Sequence, residues 1–337
     1  MKKAIVFGAG GFIGSHLVRR LKNEGYWVKG ADLKHPSFMK SYADKFVIAD
    51  LRKREEVEAL IDQDADELYQ LAADMGGAGY LFTGENDANV MHGSALINLH
   101  TAEVSRLKKV KHLFFSSSAC VYPKHNQSES ENPCCSEDSV YPADPDSEYG
   151  WEKLFSERLY QSYHRNYALN IKIARFHNVY GPGNPWCGGK EKAPAAICRK
   201  IAEAEEGGQI EIWGNGEQTR SFLYIDDCID GIRMLMKSDY QRPVNIGSEE
   251  SVTINYLAER VMKMFGKKLS VRHINGPVGV QGRNSDNSLM NSITGWEPVV
   301  SLDEGIRQTY LWISDQLNKT QAEPSFSASE IHSIVHT

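Results

Sequence analysis

The chain has 337 residues, of which 41% are hydrophobic, more length than one average domain needs and enough apolar material for a large core. Its net charge of −6 argues against nucleic acid or a lipid surface as the main partner, because both reward basic patches. The six cysteines, at 120, 134, 135, 187, 198 and 228, form no Cys-x-x-Cys pair. A zinc site or a disulfide framework is therefore not expected; reduced thiols and a cytoplasmic setting are.

The opening "KAIVFGAG" is a short apolar strand running into glycines, a better reading than a leader peptide, whose apolar stretch would be longer. "GFIGSHLVRRLKNEG" continues with helical spacing. A second strand, "YWVKGADL", ends near Asp32, and a third, "KFVIADLRK", runs to Asp50. "REEVEALIDQ" reads as a charged amphipathic helix and "ADELYQLAA" as a fourth strand, followed by the glycine-rich loop "DMGGAGY". Residues 86–105 read as a helix, "VKHLFFSSSA" as a fifth strand, 148–166 as another helix and "LNIKIARFHNVYG" as a sixth strand.

This alternation predicts an α/β fold, a Rossmann-type doubly wound parallel sheet, with a smaller C-terminal α/β substrate-binding lobe. The rhythm fails after residue 177. We therefore expect a dinucleotide-binding domain over 1–177, with returning elements at about 222–248, and a substrate lobe over 178–221 and 249–319. The tail from 320 to 337 lacks periodicity and is read as mobile. No apolar run reaches the length of a membrane span.

"GAGGFIG" sets glycines at 8, 11 and 14 between a strand and a helix. Gly8 permits a tight turn, Gly11 a close backbone approach by pyrophosphate, and Gly14 tight packing of helix on strand. Asp32, 18 residues beyond Gly14, is positioned to accept from both ribose hydroxyls. A carboxylate there repels a 2′-phosphate, so NAD is expected rather than NADP.

"YGWEK" places Tyr149 and Lys153 four apart, on one helix face. An ammonium beside a phenol favours the phenolate, which can take a hydroxyl proton while hydride leaves the same carbon. Cys120, in "SSSACVYP", is open to two readings: a thiol base titrating within reach of neutral pH, or a packed small hydrophobe.

The glycine spacing, followed by Tyr149 and Lys153, resembles the extended short-chain dehydrogenase/reductase family, in its sugar-nucleotide epimerase branch. That resemblance implies Tyr149 as base, Lys153 as its pKa modifier and ribose ligand, and Ser118 as hydroxyl partner. It also implies cofactor contacts at Phe12, Ile13, Asp50, Leu51, Leu71, Ala72 and Ala73. The blocks "LAADMGGAGY", "RFHNVYGPGNPW", "GGKEKAPAAICRK", "WGNGEQTRSF" and "GVQGRNSDN" are similar to members of the branch that epimerise GDP-mannose at C3 and C5. In those members the cysteine and the lysine of "EKAP" form an acid/base pair, which maps onto Cys120 and Lys192.

The implied chemistry is oxidation at C4, which acidifies the neighbouring C–H bonds, then proton exchange at C3 and C5, then re-reduction. The same resemblance implies substrate contacts at Gly76, Gly77, Ser117, Asn178, Glu191 and Ala193, and diphosphate contacts at Lys200, Gln218, Thr219, Arg220 and Arg283. It further implies a homodimer pairing through the helices at 86–105 and 148–166.

Overall fold

The computed structural model describes residues 1–63, 65–131 and 135–322. Seven parallel strands form the main sheet. The first six are β1 (Lys3–Phe7), β2 (Trp27–Asp32), β3 (Lys45–Ile48), β4 (Glu67–Gln70), β5 (His112–Ser118) and β6 (Ile171–Phe176). Their spatial order is β3-β2-β1-β4-β5-β6, and the late strand Pro243–Ile246 adds itself beside β6. Helices cover both faces, so the central strands read as continuous apolar runs. Ile5, Phe7, Leu68 and Phe115 pack into one layer, and Ala4, Val6, Tyr69 and Phe114 into the other.

The helices that position the site are α1 (Phe12–Asn23), α2 (Arg54–Leu60), α3 (Ala78–Leu81), α4 (Asp87–Leu107), α5 (Glu148–Tyr167) and α6 (Ala193–Glu203). Strand order reverses between β1 and β4, and at such a point the strand ends open a crevice. Three small sheets follow in the C-terminal half, pairing Leu223–Tyr224 with Val179–Tyr180, Thr219–Ser221 with Ser251–Thr253 and Gly282–Arg283, and Gln209–Trp213 with Ser270–Ile274.

Two sequence expectations need correction. The third strand stops at Ile48, where its partner β2 ends at Asp32, and the Asp50 carboxylate beyond it accepts from Arg52 in two hydrogen bonds of 2.8 and 2.9 Å. The expected tail begins inside a helix, Leu302–Ala322, and the rest of it, 323–337, lies outside the described residues, as does Cys134. Cys120, Cys187, Cys198 and Cys228 are free thiols. Among the described residues, no helix is long and apolar enough to cross a membrane, and no cluster of ligating side chains could hold a metal.

Candidate active site

The glycine loop joins β1 to α1. Gly8 has φ 81°, and a Cβ on it would stand 2.8 Å from the Ala72 nitrogen. A Cβ on Gly14 would run into the Gly8 carbonyl, so helix and turn touch backbone to backbone. On Gly11 a Cβ would meet just the Gly8 oxygen, at 3.3 Å, which leaves its other side open to a ligand. No side chain caps α1, so its first N–H groups face that space. At the end of β2, Asp32 accepts the Gly10 N–H at 2.9 Å, and burial pushes its carboxyl above the usual range. This cradle fits the phosphates and ribose of a dinucleotide. Leu71, Ala72 and Ala73 continue from β4 along the crevice, where fully buried Gln70 grips Ala72 through both its N–H (3.1 Å) and its carbonyl (2.9 Å).

The second group of side chains sits where β5 ends. Ser118 caps a 3-10 turn, Ala119–Val121, by accepting the Cys120 N–H at 3.2 Å, and its hydroxyl favours the ionised form of Tyr149. Ser147 caps α5, and Gly150 lets the first turn of that helix press against the Cys120 carbonyl, which any side chain would strike. Cys120 and Tyr149 therefore share one small cluster with Leu81 and Val90. Lys153 is buried, donates to the Ser116 carbonyl at 2.9 Å and lies 5.5 Å from the centre of the Tyr149 ring.

Electrostatics correct one expectation. Burial, aided by Cys120 and Glu152, pushes the Tyr149 phenol well up rather than down, and Ser118 alone opposes it. Burial also pulls the Lys153 ammonium down, against Glu152, Cys120 and Glu157. Lys192, at the start of α6, is likewise pulled down by burial and held up by Cys120 and Cys228, so the Cys120 sulfur lies within electrostatic reach of the ammonium.

The arginines divide. Arg283 is buried and committed: it donates to Asp146 (2.6 Å), Gln127 (2.5 Å) and the Cys120 sulfur (3.3 Å). Arg220 meets carbonyls of Thr219, Val278 and Val280 at 2.7–2.9 Å, and among the described residues no carboxylate pairs with it. Burial and Arg283 lower its pKa to about 10, against the more distant Asp146 carboxylate. Lys200 donates to the Glu211 carbonyl (2.7 Å), Gln218 to that of Trp213 (3.3 Å) and Thr219 to that of Ser130 (2.7 Å).

Several expected contacts are occupied by protein. Ser117 alternates to the far side of β5, where its hydroxyl donates to Glu157 at 2.6 Å beside the buried Arg175, so its side chain does not reach the crevice. The neighbour that a Cβ on Gly77 would strike is the Glu191 carbonyl, and on Gly76 it is the Tyr80 ring. Glu191 itself accepts from the Gly189 N–H (2.7 Å) and Arg199 (3.3 Å). Asn178, in a left-handed conformation at φ 41°, donates to the Ser221 carbonyl at 2.9 Å. Asp146 and Gln127 were not legible as site residues, because nothing local in the sequence ties them to Arg283. A larger cavity of about 700 Å³ lies behind β6, lined by Glu137, Arg158, Arg242 and Asp286, away from all of this chemistry.

Residues 4–247 match the NAD dependent epimerase/dehydratase family. The chain belongs to that family. Among curated members, GDP-mannose 3,5-epimerase of Arabidopsis thaliana is 44% identical over 325 residues, 96% of this chain and 85% of that one. GDP-mannose 3,5-epimerase 1 of Oryza sativa subsp. indica is 42% identical, over 94% of this chain and 83% of that one. Among solved structures, UDP-glucose 4-epimerase of Thermotoga maritima with UDP-glucose superposes at a TM-score of 0.81 and 26% identity, covering 94% of this chain and 99% of that one. UDP-glucuronic acid 4-epimerase of Bacillus cereus, in complex with UDP-glucuronic acid and NAD, gives 0.78 and 28%, with coverage of 94% and 99%. The family's NAD matches the cradle of Gly8, Gly11, Gly14 and Asp32 described above.

Proposed function

We propose that this chain converts GDP-mannose to GDP-L-galactose and GDP-L-gulose, with NAD retained through each cycle. The observation that carries the reading is the juxtaposition of Cys120 with Tyr149 in one cluster, electrostatically coupled to Lys192, in a chain 44% identical to a GDP-mannose 3,5-epimerase. Tyr149, which Ser118 helps toward the phenolate, takes the proton of the C4 hydroxyl in that form. Bound NAD would supply the acceptor for the C4 hydride, and its positive charge would favour the Tyr149 phenolate that burial alone opposes. Lys153 anchors the ribose and keeps its charge near the Tyr149 ring.

The C4 ketone acidifies C3–H and C5–H. Cys120 withdraws a proton from one face and Lys192 supplies one to the other; burial eases that donation by lowering the lysine's hold on its proton. Arg220, which no carboxylate among the described residues pairs with, takes the diphosphate, with Arg283, Lys200, Gln218 and Thr219 around it. Gly76, Asn178 and Ala193 line the sugar.

Residues 178–221 and 249–319 form the substrate lobe in this reading. The protein works in the cytoplasm as a homodimer. Support for pairing comes from apolar side chains left exposed on α4 and α5: Leu99, Leu107, Trp151, Phe155 and Tyr167. The competing reading is another NAD-dependent sugar-nucleotide epimerase or reductase that keeps Tyr149 and Lys153 but uses a different base. Incubation with GDP-mannose and no added cofactor, followed by product separation, decides between them. GDP-L-galactose supports the proposal; an unchanged GDP-mannose pool sinks it.

A further inference from the structure

The loop that leads to Lys192 is fastened to the dinucleotide-binding half at both ends. At its start, His16 on α1 donates from Nε2 to the Pro182 carbonyl at 2.9 Å. Next to it, Gly183 has φ 86°, and a Cβ there would sit 2.6 Å from the Met39 sulfur. At its end, the Gly77 N–H donates to the Lys190 carbonyl at 3.1 Å. Between these fastenings, Gly183, Pro185, Cys187 and Lys190 roof a cavity of about 140 Å³ whose floor is Gly10, Gly11 and Phe12.

That floor is the glycine loop, which offers N–H groups and no basic side chain, while Lys34 stands in the wall beside it. A pyrophosphate seated on it brings two negative charges under the roof. The roof supplies a cation. Lys190 Nζ now rests 4.2 Å from the Tyr80 ring centre and 4.0 Å from Asp74, a long, half-exposed pairing that holds the ammonium weakly. Its flexible stem is free to turn toward the phosphates.

We propose that Lys190 is a pyrophosphate ligand delivered from the substrate lobe, making the 182–190 loop a clasp that must open before the dinucleotide leaves. The proposal rests on the cofactor reading above and extends it. Lys192 follows Lys190 by two residues, so one stretch of backbone both retains the redox partner and places the proposed acid. Retention and proton delivery are thereby linked.

The test is the rate at which NAD leaves. Wild-type protein, Lys190→Ala and Lys190→Arg are loaded with isotope-labelled NAD, chased with excess unlabelled NAD and sampled by rapid filtration. Lys190→Ala should release label about 10- to 100-fold faster, the usual effect of deleting one charge-assisted hydrogen bond. Lys190→Arg should stay within a few-fold of wild type, and added salt should speed release from wild type more than from the alanine variant. Melting temperatures of the three proteins stripped of NAD should agree, since the Lys190 ammonium meets just the half-exposed Asp74 and the Tyr80 ring. Equal release rates from wild type and Lys190→Ala would overturn the clasp alone. A wild-type protein that neither carries nor takes up NAD would overturn the cofactor reading itself.

Discussion

Substituting Gly77 by alanine tests whether the loop before α6 is positioned by backbone contact. Gly77 has φ −76°, so alanine meets no backbone strain there. Its new methyl, however, would overlap the Glu191 carbonyl oxygen and lie 3.1 Å from the carbon. These are backbone atoms and cannot swing aside like a side chain. Relieving the overlap moves the Glu191 backbone by roughly 1 Å, which carries Lys192 with it. A displacement of that size at a reacting group costs about 10²-fold in rate. The redox pair sits on α5 and is not touched. Gly77→Ala should thus slow solvent-proton exchange at C3 and C5 about 10²-fold while hydride transfer at C4 changes by no more than a few-fold. Both are read in one experiment, exchange by mass spectrometry in heavy water and hydride transfer by NADH absorbance. Wild-type exchange in Gly77→Ala would refute the positional argument.

Asp146→Ala strands the Arg283 guanidinium, whose ion pair has side chains just 7% and 5% exposed, so stability in urea should drop by about 3–5 kcal/mol; a change below 1 kcal/mol contradicts it. Burial lowers the pKa of His177 from 6.5 to about 3, so the unfolded chain binds a proton that the folded chain refuses in that interval. Stability should therefore fall as pH drops below 6.5, by about 1.4 kcal/mol per unit from this group. A His177→Gln variant should lose that part of the slope, and an imidazole resonance titrating near 6.5 in the folded protein would speak against it. Phe155→Glu, on the exposed face of α5, should give a monomer mass in light scattering; an unchanged dimer places the interface elsewhere.

What could be read from the chain was whatever is local. Glycine spacing with Asp32 and the Tyr149–Lys153 pair each lie within one turn, one helix or one βαβ unit, where periodicity and backbone conformation decide geometry. The strand limits were less legible, because β3 ends where its partner β2 runs out at Asp32, which no local pattern around Ile48 marks. Least legible was the setting of Cys120. Its sulfur meets Arg283, 163 positions away, and Arg283 in turn meets Asp146, 137 positions away. The direction of the Tyr149 shift also escaped a pairwise argument, since burial outweighs the single cation four residues on. Ser117 shows the converse: a serine run reads as one motif, yet strand alternation sends its middle member into the Glu157–Arg175 pair.

The division of labour between the redox pair and the epimerising pair is the central claim, and deuterium incorporation from heavy water into GDP-mannose tests it most directly. The measurement compares wild type, Tyr149→Phe and Cys120→Ala, with transient NADH absorbance followed in parallel. Tyr149→Phe should stop C4 oxidation and, with it, every exchange. Cys120→Ala should still form NADH transiently while exchange at C3 and C5 falls by about 10²–10⁴-fold, the loss typical of a missing general base. If Cys120→Ala exchanges deuterium at the wild-type rate, the thiol is a packed small side chain and the proposed base lies elsewhere.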